Sequence, residues 1–398
     1  MDIKRILPIL CILIIGCTSP TPTDTIALID IERAFNNPCD ILLSELADEI
    51  EYIPLENLPE SVTGNALRLF ATDNYIVAIS FRHNQLFDRK TGKFIREIGR
   101  FGQGPNEYLG TFISMPFDEN RLTILSGNQK NGLEYGLEGN VVRKIIHPEG
   151  ELFSEMIPLD ENYFVCYKNN YAGNEPYKLY IFDYNGNIFN KFPNYHSYIP
   201  NPSVGAGSTR AVYYTWKNNV FFFENCVDTL FQVTKNELIP YYRFNLGKYN
   251  PPYSEKPKLY WPPEKPLSNK YIVFQKINES DRFLFLSFWH DKKDRGIHIF
   301  SHYFVVYDKM TGTTKISEVD YTDKSPVIND IDDFAPLYPL LFNINHSGEM
   351  VSYLEASYIL DWFEANPEKA KKLPNRLQEL SKLKFDDNQV VVILKLKQ

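Results

Sequence analysis

Cysteine and glycine are scarce in this 398-residue chain, at 5 and 20 residues, and tryptophan and methionine number only 4 and 5. So few cysteines exclude a disulfide-stapled miniprotein, and so little glycine excludes a collagenous or low-complexity chain. Basic residues are in deficit as well: 42 Lys and Arg against 50 Asp and Glu leave a formal charge of −8. That acidity argues against nucleic acid or an anionic membrane surface as partner, because both need basic patches. Long hydrophobic runs are also missing. The N-terminal run, residues 6–15, is interrupted by Pro8 and at ~1.5 Å per residue covers about half of a bilayer core, too little to span it.

What is abundant is aromatic: 28 Phe and 26 Tyr, within a hydrophobic fraction of 43 %. Phe and Tyr at this level favour strands over helices, and the length suffices for one large core. The expected class is all-β.

The N-terminus reads as an address. Lys4 and Arg5 precede the apolar run, and Ile14-Ile15-Gly16 leads to Cys17, the layout of a bacterial secretory signal ending in a lipoprotein cleavage box. Residues 1–16 are therefore expected to be a signal peptide and Cys17 the lipidated N-terminus, with the bilayer as a partner through its acyl chains. Residues 17–44, opening on the Pro/Thr-rich TSPTPTDT, are expected to form the lipidated end and its tether. Cys39, Cys166 and Cys226 allow at most one disulfide, and Cys166, inside the strand-like YFVCY, reads as a buried inert thiol.

Internal repetition sets the architecture. A strand, a glycine turn and a second strand recur with turns at Gly92, Gly139 and Gly186, a spacing of 47, and weaker copies place turns at Lys235-Asn236 and Thr311-Gly312. Gly or Asn there supplies the positive φ of a tight hairpin. Two more strand-like runs precede each hairpin. Four strands at a period near 47 match a propeller blade, whose repeats run roughly 40 to 50 residues. Five hairpins are countable, and the lone C-terminal strand in NQVVVILKLK (388–397) lacks a partner that the lone strand at 48–55 can supply, closing the ring. Residues 45–398 are thus expected to form a β-propeller of six blades, with seven as the alternative count.

Two insertions break the period. Residues 248–270 contain six prolines and read as an extended surface loop, with Tyr253, Tyr260 and Trp261 as candidate platforms for a ligand or partner. Residues 361–383 have helix-forming composition interrupted by Pro367 and Pro374, and predict one or two short helices within the last blade.

The run Ile98-Gly99-Arg100-Phe101-Gly102-Gln103-Gly104-Pro105-Asn106-Glu107-Tyr108 follows a blade hairpin. With Tyr52-Ile53-Pro54-Leu55-Glu56, the hairpin strand at 93–98 and the terminal strand after Asp386-Asp387-Asn388, it resembles the six-bladed, NHL-like β-propeller lipoproteins of Bacteroidales. The resemblance covers nearly the whole mature chain and implies a fold, not an activity. Two features depart from it: the glycine-rich connector occurs once, and Gln389 stands where a proline is expected. Gly102, Gly104, Pro105, Glu107 and Tyr108 are read as a structural connector between blades. They supply neither the Lys nor the helix opening that a phosphate loop needs.

Other chemistry finds little support. His298 and His302 on one strand would stand roughly 13 Å apart, too far to share an ion. The acidic run 329–333 lacks the Gly and distal Glu of a calcium loop, and no G-x-S-x-G elbow occurs. No metal or cofactor is expected. The favoured reading is a non-catalytic binding or scaffolding module for a glycan, peptide or envelope protein, anchored in the outer membrane, with the periplasmic side preferred over the cell surface. The alternative is a polysaccharide hydrolase or lyase with carboxylates gathered at the propeller axis.

Overall fold

The aromatic and β-branched runs fold into six antiparallel sheets in the computed structural model, which describes residues 26–64, 68–109, 113–118, 121–125, 131–149, 151, 155–199, 211–259, 270–294, 297–319, 327–337 and 342–398. Five are meanders of four consecutive strands, at 68–97, 113–146, 155–193, 212–245 and 273–319, here blades one to five. The sixth takes Asn343–Ile344, Glu349–Leu354 and Val390–Leu396 from one end of the chain and its outer strand, Ala47–Pro54, from the other. Val390 pairs with Pro54 and Leu394 with Ile50 across this antiparallel seam. It is the closure expected from the two lone strands.

The buried side chains show that the sheets form a ring. They separate into six clusters, one between each pair of successive blades, including one between blade six and blade one built from Ile53, Val391 and Ile393 against Leu69, Ile76 and Phe87. The fold is a β-propeller. Because every sheet is covered on both faces, neighbouring strand residues enter different clusters. Val220 and Phe222 pack toward blade three, while Phe221 and Phe223 pack toward blade five. Likewise Phe283 and Phe285 face blade six, and Leu284 and Leu286 face blade four. Hence strands here read as continuous apolar runs rather than as an alternation.

The hairpin glycines are in the left-handed region, with φ of 66° at Gly92, 88° at Gly139, 81° at Gly186 and 70° at Gly312. Their 47-residue spacing has a second cause. Sheet twist lays the hairpins at Gly92, Gly139 and Gly186 against the end of the preceding blade's outer strand. A Cβ on Gly92 would lie 2.0 Å from the Pro54 carbonyl oxygen, on Gly186 3.1 Å from that of His147, and on Gly139 3.3 Å from that of Glu97. Asn236 differs from expectation, for it does not have positive φ. That turn is closed by Thr234, whose hydroxyl accepts from the N–H of Asn236 and Glu237 at 3.3 and 3.0 Å.

Residues 27–44 are not a free tether. Ala27–Asp30 adds a fifth, parallel strand to the outer edge of blade four, and Ile41–Leu42 pairs in parallel with Val327–Ile328. Between them the helix Ile31–Phe35 buries Ile31 and Ala34. Apolar residues between the spacer and the first blade thus cover an exposed edge. The signal segment and Cys17 lie outside the described residues. Near the other end, the helices Ala356–Ala365, Pro367–Ala370 and Asn375–Gln378 form the insertion of blade six, beginning earlier than the sequence predicts. Gln389, in place of the expected proline, is buried and ties this insertion to the seam. Its amide donates to Glu355 at 3.0 Å and to the Gly64 carbonyl at 3.3 Å, and its oxygen accepts from Thr63 at 2.5 Å.

Candidate functional site

Antiparallel meanders place every second connection at the same end of a blade. One end, the turn end, carries only short connections: 72–74, 89–93, 137–140, 159–162, 184–187, 217–218, 234–237, 280–282, 309–312 and 345–348 among the described residues. At the other, the loop end, lie the described residues 55–64, 98–109, 168–176, 194–199, 246–259, 270–272 and 355–389. Turn chemistry makes the first set polar. The exposed large apolar side chains outside the blade walls accordingly fall at the loop end, among them Phe81, Phe101, Tyr171, Tyr195, Ile199 and Phe385, against Met310 at the turn end.

The loop-end connections of blades three and four are held by a buried polar clasp. Tyr167 closes the strand Tyr163–Tyr167, Glu224 follows the strand Asn219–Phe223, and Lys256 comes down from the 3-10 helix Tyr253–Lys258 of the proline-rich insertion. Lys256 and Glu224 form an ion pair with both side chains 2 % exposed. Lys256 also donates to the Tyr167 hydroxyl at 2.8 Å, while the hydroxyls of Tyr167 and Tyr253 each donate to Glu224 Oε1 at 3.2 Å. Lys178 stands 3.9 Å from the other carboxylate oxygen. Burial alone would push the Glu224 carboxyl up, but Lys256 and Lys178 outweigh it and hold it below the usual range. Burial works against the Lys256 ammonium too, yet Glu224 and the two tyrosines keep it well above normal. Lys178, with less compensation, is pushed down by burial. Cys226, two residues on, has a φ of 77°, in the left-handed region that residues other than glycine rarely adopt.

Above the clasp lies a shell of aromatic and amide groups. Tyr253 stacks on His196 with centroids 4.7 Å apart and accepts from Asn170 and Asn194 at 3.5 Å. Tyr198 donates its hydroxyl to the Asn170 carbonyl. Gly173 lies against the backbone of the same tyrosine: its φ is 76°, a Cβ would lie 2.1 Å from the Tyr198 carbonyl oxygen, and the Tyr198 N–H donates to its carbonyl at 2.9 Å. Out of this shell project Tyr171, Tyr195 and Ile199, at 48, 86 and 93 % exposure. Rigid tyrosines with exposed faces bury contact area at low entropic cost.

The expected platform is therefore redistributed. Tyr253 is half-buried and its hydroxyl is spoken for, so it belongs to the support rather than to an exposed face, and the described part of the proline-rich segment is anchored at the buried Lys256. Tyr260 and Trp261 lie outside the described residues. Tyr171 and Tyr195 were missed, although both sit in Asn- and Pro-flanked connections outside the strand pattern. Tyr108 is buried between blades one and two and donates to the Arg82 carbonyl at 2.9 Å. Glu107 accepts from the Gly104 N–H at 2.9 Å, and a Cβ on Gly102 would lie 2.1 Å from its carboxylate. Gly102 and Gly104 thus make room for Glu107, and Pro105 opens the intervening turn. Positive φ is used at Gly99 instead.

The three described cysteines are free thiols, with Cys166 fully buried and its thiol pushed up by burial. Among the described residues no group of three or more His, Cys, Asp or Glu gathers as a metal-ligand set. The acidic turn is more structural than expected: Asp330 accepts from the Ser44 N–H at 2.8 Å, and Asn329 is buried. Each described carboxyl whose pKa is displaced moves downward, by ion pairs or hydrogen bonds, unlike a general acid.

The profile of a family described as "Domain of unknown function (DUF4934)" matches residues 26–395. No curated protein matches the sequence. Among solved structures, a Bacteroides fragilis protein described as exported superposes with a TM-score of 0.68 at 17 % identity, covering 94 % of this chain and 100 % of that one. A DUF4221 family member from Bacteroides vulgatus gives 0.53 at 11 % identity, covering 89 % and 98 %. At these identities the likeness is one of fold.

Proposed function

Since the chain belongs to the DUF4934 family of unknown function, we propose its role from its own surface: a non-catalytic, envelope-anchored binding module whose loop end engages an extended ligand, a glycan chain or peptide. The observation that carries this reading is the crown of Tyr171, Tyr195 and Ile199 standing on the clasped support of blades three and four. Exposed rings on a base this heavily cross-bonded lose little freedom when a ligand stacks on them.

Lipidation at Cys17 suits that display. Ala27–Asp30 runs parallel to Tyr242–Asn245, away from the hairpin at 234–237, so the chain approaches the ring from its turn end. Eight residues separate Cys17 from Ile26. An anchor there leaves the polar turn end toward the bilayer and the loop end free. The fold neighbour described as exported supports an envelope address. Export to the outer membrane, with the periplasmic side preferred, is read from the same signal segment; palmitate labelling of wild type and Cys17→Ala tests the anchor, and protease shaving of intact cells tests the side.

The binding test is a comparison on glycan arrays and immobilised peptide libraries. A Tyr171→Ala/Tyr195→Ala variant is expected to lose about tenfold in affinity, as two stacking contacts of about 0.5–1.5 kcal/mol each imply, while Met310→Ala keeps wild-type binding. Equal binding by all three proteins removes the crown as the site. Loss on Tyr260→Ala/Trp261→Ala alone would return it to the proline-rich insertion.

A further inference from the structure

On the reading of the crown as the binding face, we propose that it takes an uncharged sugar chain, with Tyr171 and Tyr195 as stacking platforms and Asn174, His196 and Ser197 as hydrogen-bond partners of its hydroxyls.

Two connections laid side by side at the loop end of blade three make the crown. The Tyr198 N–H donates to the Gly173 carbonyl and the Asn194 N–H to that of Pro176, both at 2.9 Å. Asn170 joins them from within, its amide donating to the His196 carbonyl at 3.4 Å and its oxygen accepting from the Glu175 N–H at 2.9 Å. The exposed side chains, in contrast, are uncommitted. The Tyr171, Tyr195 and Ser197 hydroxyls, the Asn174 amide and the His196 ring nitrogens have no hydrogen-bond partner among the described residues. Hydroxyl and amide groups each donate and accept, as a sugar hydroxyl does. Tyr195 and Ile199 are too exposed to line a pocket for a peptide side chain, whereas a flat sugar face stacks on an open ring without one.

Charge is what the crown lacks. Residues 169–174 and 194–199 contain no Asp, Glu, Lys or Arg, where the chain's 23 % charged fraction would place about three. The charges at the feet of the two connections are paired. Lys168 stands 2.6 Å from Glu151 and 3.2 Å from Glu175, Lys191 stands 3.9 Å from Glu151, and Lys256 is taken by Glu224. Three other exposed rings of the loop end differ, for Phe81-Arg82, Arg100-Phe101 and Lys384-Phe385 each set a cation beside the ring in sequence. The Arg82 guanidinium lies 5.5 Å from the Phe101 ring centroid. A uronate or a sulfate ester is recognised by Arg or Lys, and the crown has neither among its exposed side chains. Stacking and neutral hydrogen bonds are what it offers.

The test measures binding of the purified full-length protein to immobilised glucan, mannan, galactan and xylan oligosaccharides, to oligogalacturonate and heparin fragments, and to a peptide library, each at about 0.05 and 0.5 M NaCl. At least one neutral oligosaccharide is expected to bind, with its affinity changed less than about twofold by salt. Tyr171→Ala/Tyr195→Ala should lower that affinity about tenfold. Asn174→Ala and Ser197→Ala should each lower it about two- to tenfold, the range of a single hydrogen bond. Binding of acidic sugars or of peptides in preference to every neutral probe, lost in the double tyrosine variant, overturns the uncharged-sugar assignment and leaves the crown as the site. Neutral-sugar binding that survives the double tyrosine variant overturns the crown itself. No binding by any probe overturns both.

Discussion

At the turn end of the propeller the described connections are two to five residues long, polar and repeated from blade to blade, whereas at the loop end no two described connections share a length or a composition. The turn end is built from local rules. Glycine gives the positive φ, Asp and Thr satisfy the turn backbone, and ion pairs such as Arg89 to Glu349 at 2.7 Å and Lys235 to Asp160 at 2.9 Å link neighbouring blades. The loop end is built from one long-range arrangement, in which Lys256, Glu224 and Tyr167 come from three separate stretches of chain. A ring closed by its strands leaves one end free to vary, and variation of that kind is where recognition resides.

Breaking the clasp is the largest test of this contrast. Glu224→Ala leaves two buried lysines without their anion, and removing one partner of a buried pair costs about 3–5 kcal/mol. Denaturant unfolding should show that loss, and hydrogen exchange should rise in 168–176 and 194–199 while 89–93 and 184–187 keep their protection. Lys256→Met with Glu224→Leu should cost less than the two single changes added together. The pH dependence follows from the directions of the shifts. Glu224 is held below its unfolded value, so its contribution is present above about pH 4.3 and is lost as pH falls through the lower folded value. Lys256 is held above its unfolded value, so its contribution is present below about pH 10.4 and is lost on further rise. Glu224→Gln should flatten the acid limb.

A pair of glycines separates two reasons for the repeat at the turn end. Gly92→Ala must pay for positive φ and also place a Cβ 2.0 Å from the Pro54 carbonyl, in the strand that closes the ring. Gly312→Ala meets nothing within 4 Å and carries only the conformational cost. We expect roughly 2–4 kcal/mol for the first and about 1–2 for the second. Equal losses in denaturant unfolding would show that φ alone sets the 47-residue spacing.

These glycines also mark what sequence could reveal. The all-β class, the blade period and the pairing of Val390–Leu396 with Ala47–Pro54 were legible because hairpin turns and short aromatic and β-branched runs are local signals. The abundance of phenylalanine that pointed to strands is taken up in packing between them, as at Phe164, Phe182, Phe221 and Phe285, all within 2 % exposure. The parallel strand Ala27–Asp30 was not legible, since four residues beside a proline-rich spacer carry no periodicity of their own. Nor was the clasp: Lys256 is one of five lysines in the proline-rich segment 248–270, and nothing singles it out until the fold brings Glu224 beneath it. Tyr253 was singled out for its ring, but its place was decided by its hydroxyl.

The smallest expected effect lies with the ion pairs that ring the turn end. Lys235 and Asp160 join blades four and three at 2.9 Å, with side chains 38 and 36 % exposed. Solvent screens such a pair and ordering two flexible side chains offsets part of the attraction, so Lys235→Ala should cost under about 1 kcal/mol and less at high salt. Lys235 also lies over the Tyr163 ring at 4.2 Å, a contact that Lys235→Met partly keeps in its apolar stem. If the Met variant matches wild type while the Ala variant does not, packing on Tyr163 rather than charge joins the blades here. A salt-sensitive loss common to both variants assigns the join to charge, and then the turn end depends on electrostatics as the clasp does, differing from it only in exposure to water.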